Sequence, residues 1–476
     1  MLGKSRGLGM SGFVLRRLGL AGAGVMSVAG LLLAGFAGDA RAESGVVASE
    51  PGAASRLVEV DDGAVVRLDM PVRVMRPAEE QAGPVVVLVG AVHIADGEFY
   101  RDAQAVLDAA DVVLFEGVGG GPVAEAVENE ANGEAAAADA RAETRRRIDF
   151  VTALLDAREA DGEEVPASLD GLMTVLGPTL AARLDAARLD GWGNPLRLVK
   201  DDGGAWQVVS NGADGEPGGG GELADMSGTD ARAGVGAADE AGGNRGLQAD
   251  LASALGLSYQ LDGIDYSGAN WRNSDLSVGE LAALFGAEAV PAEEAERVRA
   301  ADRDAELTED EVAAEAMNGL IGAISGESRI ARLAGGFLRF AGRTPGFRAI
   351  IKLMLIETLG QAEDVLGAQQ GAMGRLFEVI LDERNEVVLA DIDALADREP
   401  GVEVVSVFYG AGHMPGIEVG LFDRGYELEQ ELWLPAITVD LRAAGVDPAQ
   451  AKAMRRLIAS TIEMQTQMLE GRGDEE

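Results

Sequence analysis

The chain contains two histidines among its 476 residues, and both end the same four-residue frame. His93 closes Gly-Ala-Val-His at 90–93, and His413 closes Gly-Ala-Gly-His at 410–413. Each frame follows an apolar run, and its first glycine permits the close backbone turn that aims a side chain from a strand end. Because imidazole is a common metal ligand that titrates near neutral pH, the pair predicts a shared site. The alternative is two separate histidines with structural hydrogen bonds.

Glu116 ends a further apolar run, Val-Val-Leu-Phe at 112–115. Two imidazoles and this carboxylate could converge on one cation, and three protein ligands with an open position are typical of a catalytic metal site. We therefore predict that His93, His413 and Glu116 bind a divalent metal, whose identity the sequence leaves open. Glu116 is either a ligand or a general base in this hypothesis. Its alternative role is that of an N-cap or a solvated strand end.

The surrounding pattern predicts a β-α-β unit. Residues 84–93 form a β-branched run typical of a strand buried on both faces, residues 97–110 have helical periodicity, and residues 111–118 predict a second buried strand. Such a unit places His93 and Glu116 at the carboxyl ends of strands, where ligands bind in open α/β sheets.

Other segments extend this α/β pattern. Residues 56–77 predict a strand, a turn and a strand, and residues 402–413 predict a third buried strand that ends at His413. Residues 308–398 are almost wholly helical by periodicity. The tail from 447 predicts a final helix, with Asp447 as its N-cap before a proline.

The segments "VGAVH", "VVLFEGV", "LDERNEVVLADI" (381–392) and "YGAGHMPGIEVGL" together resemble the TraB/GumN family, which includes the TIKI metalloproteases. That family shows a Gly-x-x-His, a glutamate one β-α-β unit later, an Arg-Asn pair on a late helix, and a second Gly-x-x-His. All four occur here in order over about 80–118 and 245–435. The resemblance implies an α/β fold whose mixed central sheet is wrapped by helices, and some members show metal-dependent proteolysis.

The resemblance adds Arg384 and Asn385 to Glu116 as catalytic residues. The metal would polarise a scissile carbonyl, Arg384 would stabilise developing negative charge or pair with Glu116, and Asn385 would orient a ligand through a hydrogen bond. The alternative for Arg384 and Asn385 is an exposed pair on a helix. No His-Glu-x-x-His and no Gly-x-Ser-x-Gly occurs, so neither a zincin nor a serine hydrolase with that elbow is indicated.

A segment of different composition separates the two parts of this resemblance. The stretch 211–243 is rich in glycine, and so long a structureless loop argues against one continuous domain. We predict an inserted module at 136–228 and a flexible linker at 229–244. The remaining parts of the α/β domain are then 43–135 and 245–476.

The inserted module resembles the soluble part of the major pseudopilin of type II secretion systems, through "DGWGNPLRLV" and "VVSNGADGEPGGGGELADM". The apolar pilin helix is missing, so no pilus subunit is implied. The resemblance implies a small α+β module with a calcium-binding loop, and Asp214, Glu222 and Asp225 are the candidate ligands. Hard oxygen ligands on a flexible loop suit calcium, although a surface loop without an ion is the alternative.

The N-terminus predicts export. A basic region precedes the uncharged apolar stretch 18–38, and Ala40-Arg41-Ala42 follows as a cleavage signal. We predict a signal peptide at 1–42, a periplasmic or extracellular protein, and no stable membrane span after cleavage. The adjacent Arg16 and Arg17 permit the twin-arginine route as well as the general one, and an uncleaved anchor is the alternative.

Composition narrows the function classes. A formal net charge of −40 argues against nucleic-acid binding, since no basic patch appears that could neutralise phosphates. The absence of cysteine removes disulfides, thiolate metal sites and cysteine nucleophiles. We expect a secreted metal-dependent hydrolase, with a peptide or protein substrate. The alternatives are a metal- or haem-binding protein without turnover, and an interaction protein that contacts secretion machinery through its inserted module.

Overall fold

A computed structural model describes residues 52–79, 82–117, 133–228, 247–276, 280, 344–361 and 372–470. The predicted signal peptide at 1–42 and linker at 229–244 lie outside these residues, as does the first part of the predicted helical stretch 308–398. No described helix is both long and apolar enough to cross a membrane.

Strands and α-helices make up most of the described part of the chain. The strands are β1 (Arg56–Val60), β2 (Val65–Pro77), β3 (Val85–Ala91), β4 (Ile94–Ala95), β5 (Val112–Phe115), β6 (Arg197–Lys200), β7 (Trp206–Ser210), β8 (Met226–Ser227), β9 (Ser258–Tyr259), β10 (Trp271–Asn273), β11 (Val404–Gly410) and β12 (Tyr426–Asp440). The α-helices are α1 (Gly97–Asp108), α2 (Gly133–Ala160), α3 (Leu169–Met173), α4 (Pro178–Ala186), α5 (Leu247–Leu255), α6 (Gln260–Gly263), α7 (Pro345–Gly360), α8 (Ala372–Arg398), α9 (Met414–Asp423) and α10 (Pro448–Glu470).

The central sheet is mixed and flanked by helices, as predicted. Its strand order is β1-β2-β3-β11-β5-β10, and β12 pairs with β2. The strands β3, β11, β5 and β10 run parallel, whereas β1, β2 and β12 pair antiparallel. The predicted strands at 112–118 and 402–409 therefore lie side by side in one sheet.

The strands at the centre of this sheet consist mainly of buried apolar residues. Every residue of β11 is buried, and β3 is buried except at its first residue. Strands covered on both faces favour continuous β-branched runs, which is the pattern of Val85–Val89. The predicted N-cap of the last helix is confirmed, since the Asp447 carboxylate accepts a hydrogen bond from Ala449 N–H at 3.0 Å.

The long strand β12 was not predicted from the sequence. It pairs with β2 over nearly its whole length, but the register shifts between Leu428 and Gln430 and again between Pro435 and Ile437. Such irregularities interrupt the two-residue alternation of polar and apolar side chains by which a strand is recognised.

The segment 136–228 packs closely against the rest of the fold. Helix α2 lies on α1 and β12, and its residues Ile148, Val151 and Leu154 belong to the same buried apolar cluster as the central sheet. Further along, both the N–H and the hydroxyl of Thr179 donate to the Glu429 carboxylate in β12. The small sheet β6-β7-β8 lies within this segment. The segment 136–228 therefore shares buried surface with the central sheet, and its autonomy as an inserted module stays a prediction.

One polar contact joins this segment to two strand starts. The Arg183 guanidinium donates to both oxygens of Asp111, at 3.1 and 3.0 Å, and Asp111 also accepts the backbone N–H groups of Glu403 and Val404. Burial raises the pKa of Asp111, but these hydrogen bonds outweigh burial and hold the pKa below its usual range. Asp111 therefore contributes stability above its unfolded-state pKa, and that contribution is lost as pH falls through the folded-state value.

We expect Asp111→Asn to lower the free energy of unfolding by about 1 kcal/mol at pH 7, since the ion pair is partly exposed. The deficit should begin to shrink as pH falls below about 3.9, where the carboxyl of the unfolded wild type takes up a proton, and should disappear below the lower folded-state pKa. Urea unfolding at several pH values measures it. The matched control is Asp185→Asn, which removes an exposed partner of Arg188 within the same helical segment. A pH-independent deficit would contradict the expectation.

Candidate functional site

The parallel strands bring the two Gly-x-x-His frames to one end of the sheet. β3 and β11 are neighbours in register, with Gly90 opposite Tyr409, so the frames lie side by side. His93 follows the end of β3, and His413 ends a short 3₁₀ turn directly after β11. Glu116 follows β5 on the other side of β11. Three neighbouring strand ends therefore carry the three predicted metal ligands.

Two glycines permit the close packing that this end of the sheet requires. A Cβ atom on Gly90 would lie 3.0 Å from the Pro71 ring, so a side chain there would crowd the neighbouring strand. A Cβ atom on Gly416 would lie 2.4 Å from Asn385 Nδ2. Gly416 thus lets α9 approach α8 closely enough for Asn385 to reach His413.

The His413 side chain is fully buried, and Asn385 is its hydrogen-bond partner. Its Nδ1 lies 2.8 Å from Asn385 Oδ1, and its ring stands edge-on to Tyr409 with 5.3 Å between centroids. Among the residues that the structure describes, Nε2 has no hydrogen-bond partner, and it lies 3.8 Å from Glu116 Oε1. Burial lowers the pKa of His413 to about 4 although the Glu116 charge opposes that shift. This pKa favours a neutral imidazole at pH 7. Because an amide oxygen can only accept a hydrogen bond, the contact with Asn385 Oδ1 favours the tautomer with its proton on Nδ1 and a lone pair on Nε2.

His93 has a similar arrangement but is half-buried. Its Nδ1 lies 3.2 Å from Gln260 Oε1, and its backbone carbonyl accepts the Gln260 N–H at 2.9 Å. In each histidine a side-chain amide oxygen thus contacts Nδ1, and Nε2 is the nitrogen left for a ligand. His93 lies close enough to Glu116 to help lower the pKa of that carboxylate.

Glu116 is engaged at both oxygens. Oε1 accepts a hydrogen bond from Arg384 Nη2 at 2.5 Å, and Oε2 accepts the Gly410 N–H at 2.6 Å. Burial raises the pKa of Glu116, but the charge of Arg384, followed by His413 and the Gly410 hydrogen bond, outweighs burial and lowers the pKa to about 2. A carboxylate that holds protons so weakly is a poor general base near neutral pH.

Arg384 is shared between two carboxylates. Its Nε and Nη2 each donate to Asp275 at 2.8 Å, in addition to the bond to Glu116. The Asp275 side chain is 0% exposed and that of Arg384 7% exposed, so the three groups form a buried ionic cluster. Burial lowers the pKa of Arg384, but Glu116 and Asp275 raise it above its usual range. Two negative groups and one positive group leave a net charge of −1, which attracts a cation.

The structure therefore places Glu116, Arg384, Asn385 and His413 in direct contact, with His93 at the adjacent strand end. Arg384 and Asn385 are both buried, which rules out the alternative of an exposed helix pair. Within the described parts of the chain, however, no group of three or more His, Asp or Glu side chains has the spacing to hold a metal ion. The three-ligand metal site stays a prediction.

Two residues of the site were missed by sequence reasoning. Asp275 follows the three-residue strand β10, which is too short to show hydrophobic periodicity. Gln260 lies in "YQLDGIDY" at 259–266, a segment that also contains Asp262 and Asp265. Asp262 is exposed, and Asp265 accepts hydrogen bonds from Ser267 in its own turn. The signal that could have found Gln260 is the position of this segment, between a helix and a strand of the central sheet, rather than its acidic residues.

The predicted calcium ligands lie apart from this site, in the loop before β8. Asp214 Oδ1 accepts the Glu216 N–H at 3.1 Å, and Asp225 Oδ1 accepts the Gly218 N–H at 2.9 Å. The Glu222 side chain lies outside what the structure describes. The two aspartates thus support turns of their own loop, and calcium binding stays a prediction.

Comparisons with known proteins found no relative of the chain. No protein-family model matches it, and neither a curated protein nor a solved structure is similar to it. The function must therefore be argued from the residues of the site.

Proposed function

We propose that the chain is an exported metal-dependent hydrolase that cleaves a peptide or protein substrate, with a divalent metal held by His93, His413 and Glu116. The observation that carries this proposal is the contact that each of the two imidazoles makes through Nδ1. Both use Nδ1 for a hydrogen bond to a side-chain amide oxygen, which leaves Nε2 as the donor nitrogen. Metal-binding histidines are characteristically held through their other ring nitrogen in this way.

The kinds of donor atom suit a metal such as zinc, although the three described side chains are not grouped at the spacing of a formed metal site. Two imidazole nitrogens and one carboxylate oxygen are a known catalytic zinc set. The buried His413 Nε2 has no hydrogen-bond partner in the described part of the chain, so a cation beside it would satisfy an otherwise costly polar atom. The hydrogen bonds that Glu116 already makes leave the two nitrogens as the firmer ligands. A bound metal would polarise a scissile carbonyl and acidify a water molecule.

The chain's own residues have separate roles in this proposal. Asn385 fixes the ring of His413 through the 2.8 Å contact with Nδ1. Arg384 keeps Glu116 ionised, because its charge is the main influence that opposes burial. Glu116 then supplies negative charge to the metal rather than acting as a general base, since its pKa of about 2 makes it a weak proton acceptor.

Two other interpretations are less favoured. A haem site would need an apolar slot facing the imidazole, whereas His413 faces the charged groups Glu116 and Arg384. Docking to secretion machinery through 136–228 would need a free module, whereas helix α2 is buried against the central sheet. Export rests on the sequence pattern of residues 1–42.

The proposal is tested by metal content. We expect the purified full chain to bind about one zinc ion per molecule. Elemental mass spectrometry measures the metal content, and titration with zinc alone measures the affinity. His93→Gln and His413→Gln each remove a ligand. Each should therefore weaken zinc binding by more than the roughly 10-fold to 100-fold that follows from losing a hydrogen bond to a ligand. Asp262→Asn, an exposed change near the site, is the control. A wild-type chain that binds no divalent metal would exclude the proposal.

A further inference from the structure

A second hydrogen bond extends from His93 beyond Gln260. The Gln260 amide nitrogen donates to Tyr266 Oη at 3.0 Å while its Oε1 faces His93 Nδ1 at 3.2 Å. Gln260 is buried, so these are the side-chain partners that set the direction of its amide group. The amide oxygen then faces an imidazole nitrogen that must carry a proton.

Backbone pairing fixes the distance between Gln260 and His93. β4 and β9 form a two-stranded antiparallel sheet in which Ile94 lies opposite Tyr259. The Gln260 N–H donates to the His93 carbonyl directly beside this pair. The two side chains therefore start from backbone positions that are held together, which limits how far Oε1 can move from Nδ1.

Ring packing fixes Tyr266, which lies at the other end of this series of hydrogen bonds. Tyr266 packs against Phe115 and Trp271, with ring centroids 5.0 and 5.4 Å away. Phe115 directly precedes Glu116 on β5. The Tyr266 hydroxyl is thus held by the strand that carries Glu116, so the orientation of His93 is linked to the position of that carboxylate.

We propose that Gln260 and Tyr266 are positioning residues, which hold His93 in the tautomer with its proton on Nδ1 and so keep Nε2 free to bind. The function of this positioning, which is to keep Nε2 free for a metal, rests on the proposed function. The tautomer itself can be tested without any metal. Asn385 performs the equivalent task for His413 from a different helix. The two histidines would then present the same nitrogen through unrelated supports.

The small number of histidines makes the tautomer directly measurable. In the metal-free full chain labelled with ¹⁵N-histidine, long-range ¹H–¹⁵N spectra contain two imidazoles, assigned with His93→Gln and His413→Gln. We expect both wild-type rings to be protonated at Nδ1. Gln260→Leu should convert His93 to the Nε2-protonated form or a mixture, because the acceptor at Nδ1 is lost. Gln260→Glu should keep the wild-type tautomer, because a carboxylate oxygen still accepts that proton.

Tyr266→Phe is the matched variant for the second position. It keeps the aromatic packing on Phe115 and Trp271 but removes the hydroxyl that orients the Gln260 amide. The amide can then rotate, and we expect His93 to become a mixture of tautomers. The His413 signal should stay unchanged in the Gln260 and Tyr266 variants and reports that the site remains folded.

Zinc titration links the tautomer to binding. Gln260→Leu should weaken zinc binding by about 10-fold to 100-fold, and Gln260→Glu should restore it. The inference is overturned if wild-type His93 is protonated at Nε2, or if its tautomer is the same in Gln260→Leu and Tyr266→Phe as in the wild type. Should Gln260→Leu fail to fold, Tyr266→Phe decides. A tautomer that responds in a chain without zinc affinity supports the positioning role and excludes the metal site.

Discussion

Replacing either histidine by glutamine is expected to abolish hydrolysis, and replacing both is expected to cost no more than replacing one. If His93 and His413 hold one metal, the loss of either removes the same catalytic unit. Residues that act as a unit show strongly non-additive losses, each on the order of 10⁴-fold in the rate of turnover. Two imidazoles with separate roles would instead show losses that multiply.

The measurement uses the full chain, zinc and a pool of internally quenched fluorescent peptides. His93→Gln, His413→Gln and the double variant are compared with the wild type and with Asp262→Asn, whose side chain is exposed and outside the cluster. Far-UV circular dichroism confirms that each variant is folded. Wild-type cleavage that survives either single substitution would contradict a shared site. A wild type that binds zinc but cleaves no peptide would exclude the peptidase and favour a binding protein.

The strands that carry this site were predictable because each is marked by a local run of apolar residues. The runs around β3, β5 and β11 are rich in valine and aromatic residues, and the structure has all three strands within a few residues of the predicted bounds. Parallel strands present their carboxyl ends at one edge, so His413 and Glu116 were expected to meet. The contact between Arg384 and Glu116 was likewise one of the two roles expected of Arg384.

What could not be predicted depends on contacts between distant segments. Asp275 is 109 residues from Arg384, and nothing in its local sequence distinguishes it from other loop aspartates. The apolar face of α2 has the same pattern whether it covers a small sheet of its own or the central one. The glycine-rich stretch around 211–243 suggested a separate module, but burial of Ile148 and Val151 in the main core is a tertiary property. The composition of a segment does not show which residues it packs against, so the autonomy of the predicted module stays a prediction.

The buried ionic cluster leads to the second large effect, on stability. Arg384→Met is expected to lower the free energy of unfolding by about 3–5 kcal/mol, because it removes the positive charge between two buried carboxylates. Glu116 and Asp275 would remain without the Arg384 counterion, and the Asp275 side chain is fully buried. Methionine keeps most of the length of arginine, so the loss reflects charge more than volume.

Arg272→Met is the matched control for this substitution. Arg272 also makes two hydrogen bonds to one carboxylate, that of Glu399, but both side chains are 43% exposed. Surface ion pairs contribute little, so urea unfolding should show a far smaller change than in Arg384→Met. Equal losses in the two variants would mean that burial of the Arg384 pair is not what makes it important.

A double variant separates charge from geometry within the cluster. Asp275→Asn alone should destabilise the wild type, because it takes a charged partner from Arg384. In the Arg384→Met background the same change removes one of the two uncompensated charges, so it should recover part of the lost stability. If the losses simply add, Arg384 and Asp275 act independently, and Glu116 would be held in place by the Gly410 N–H rather than by the ionic cluster.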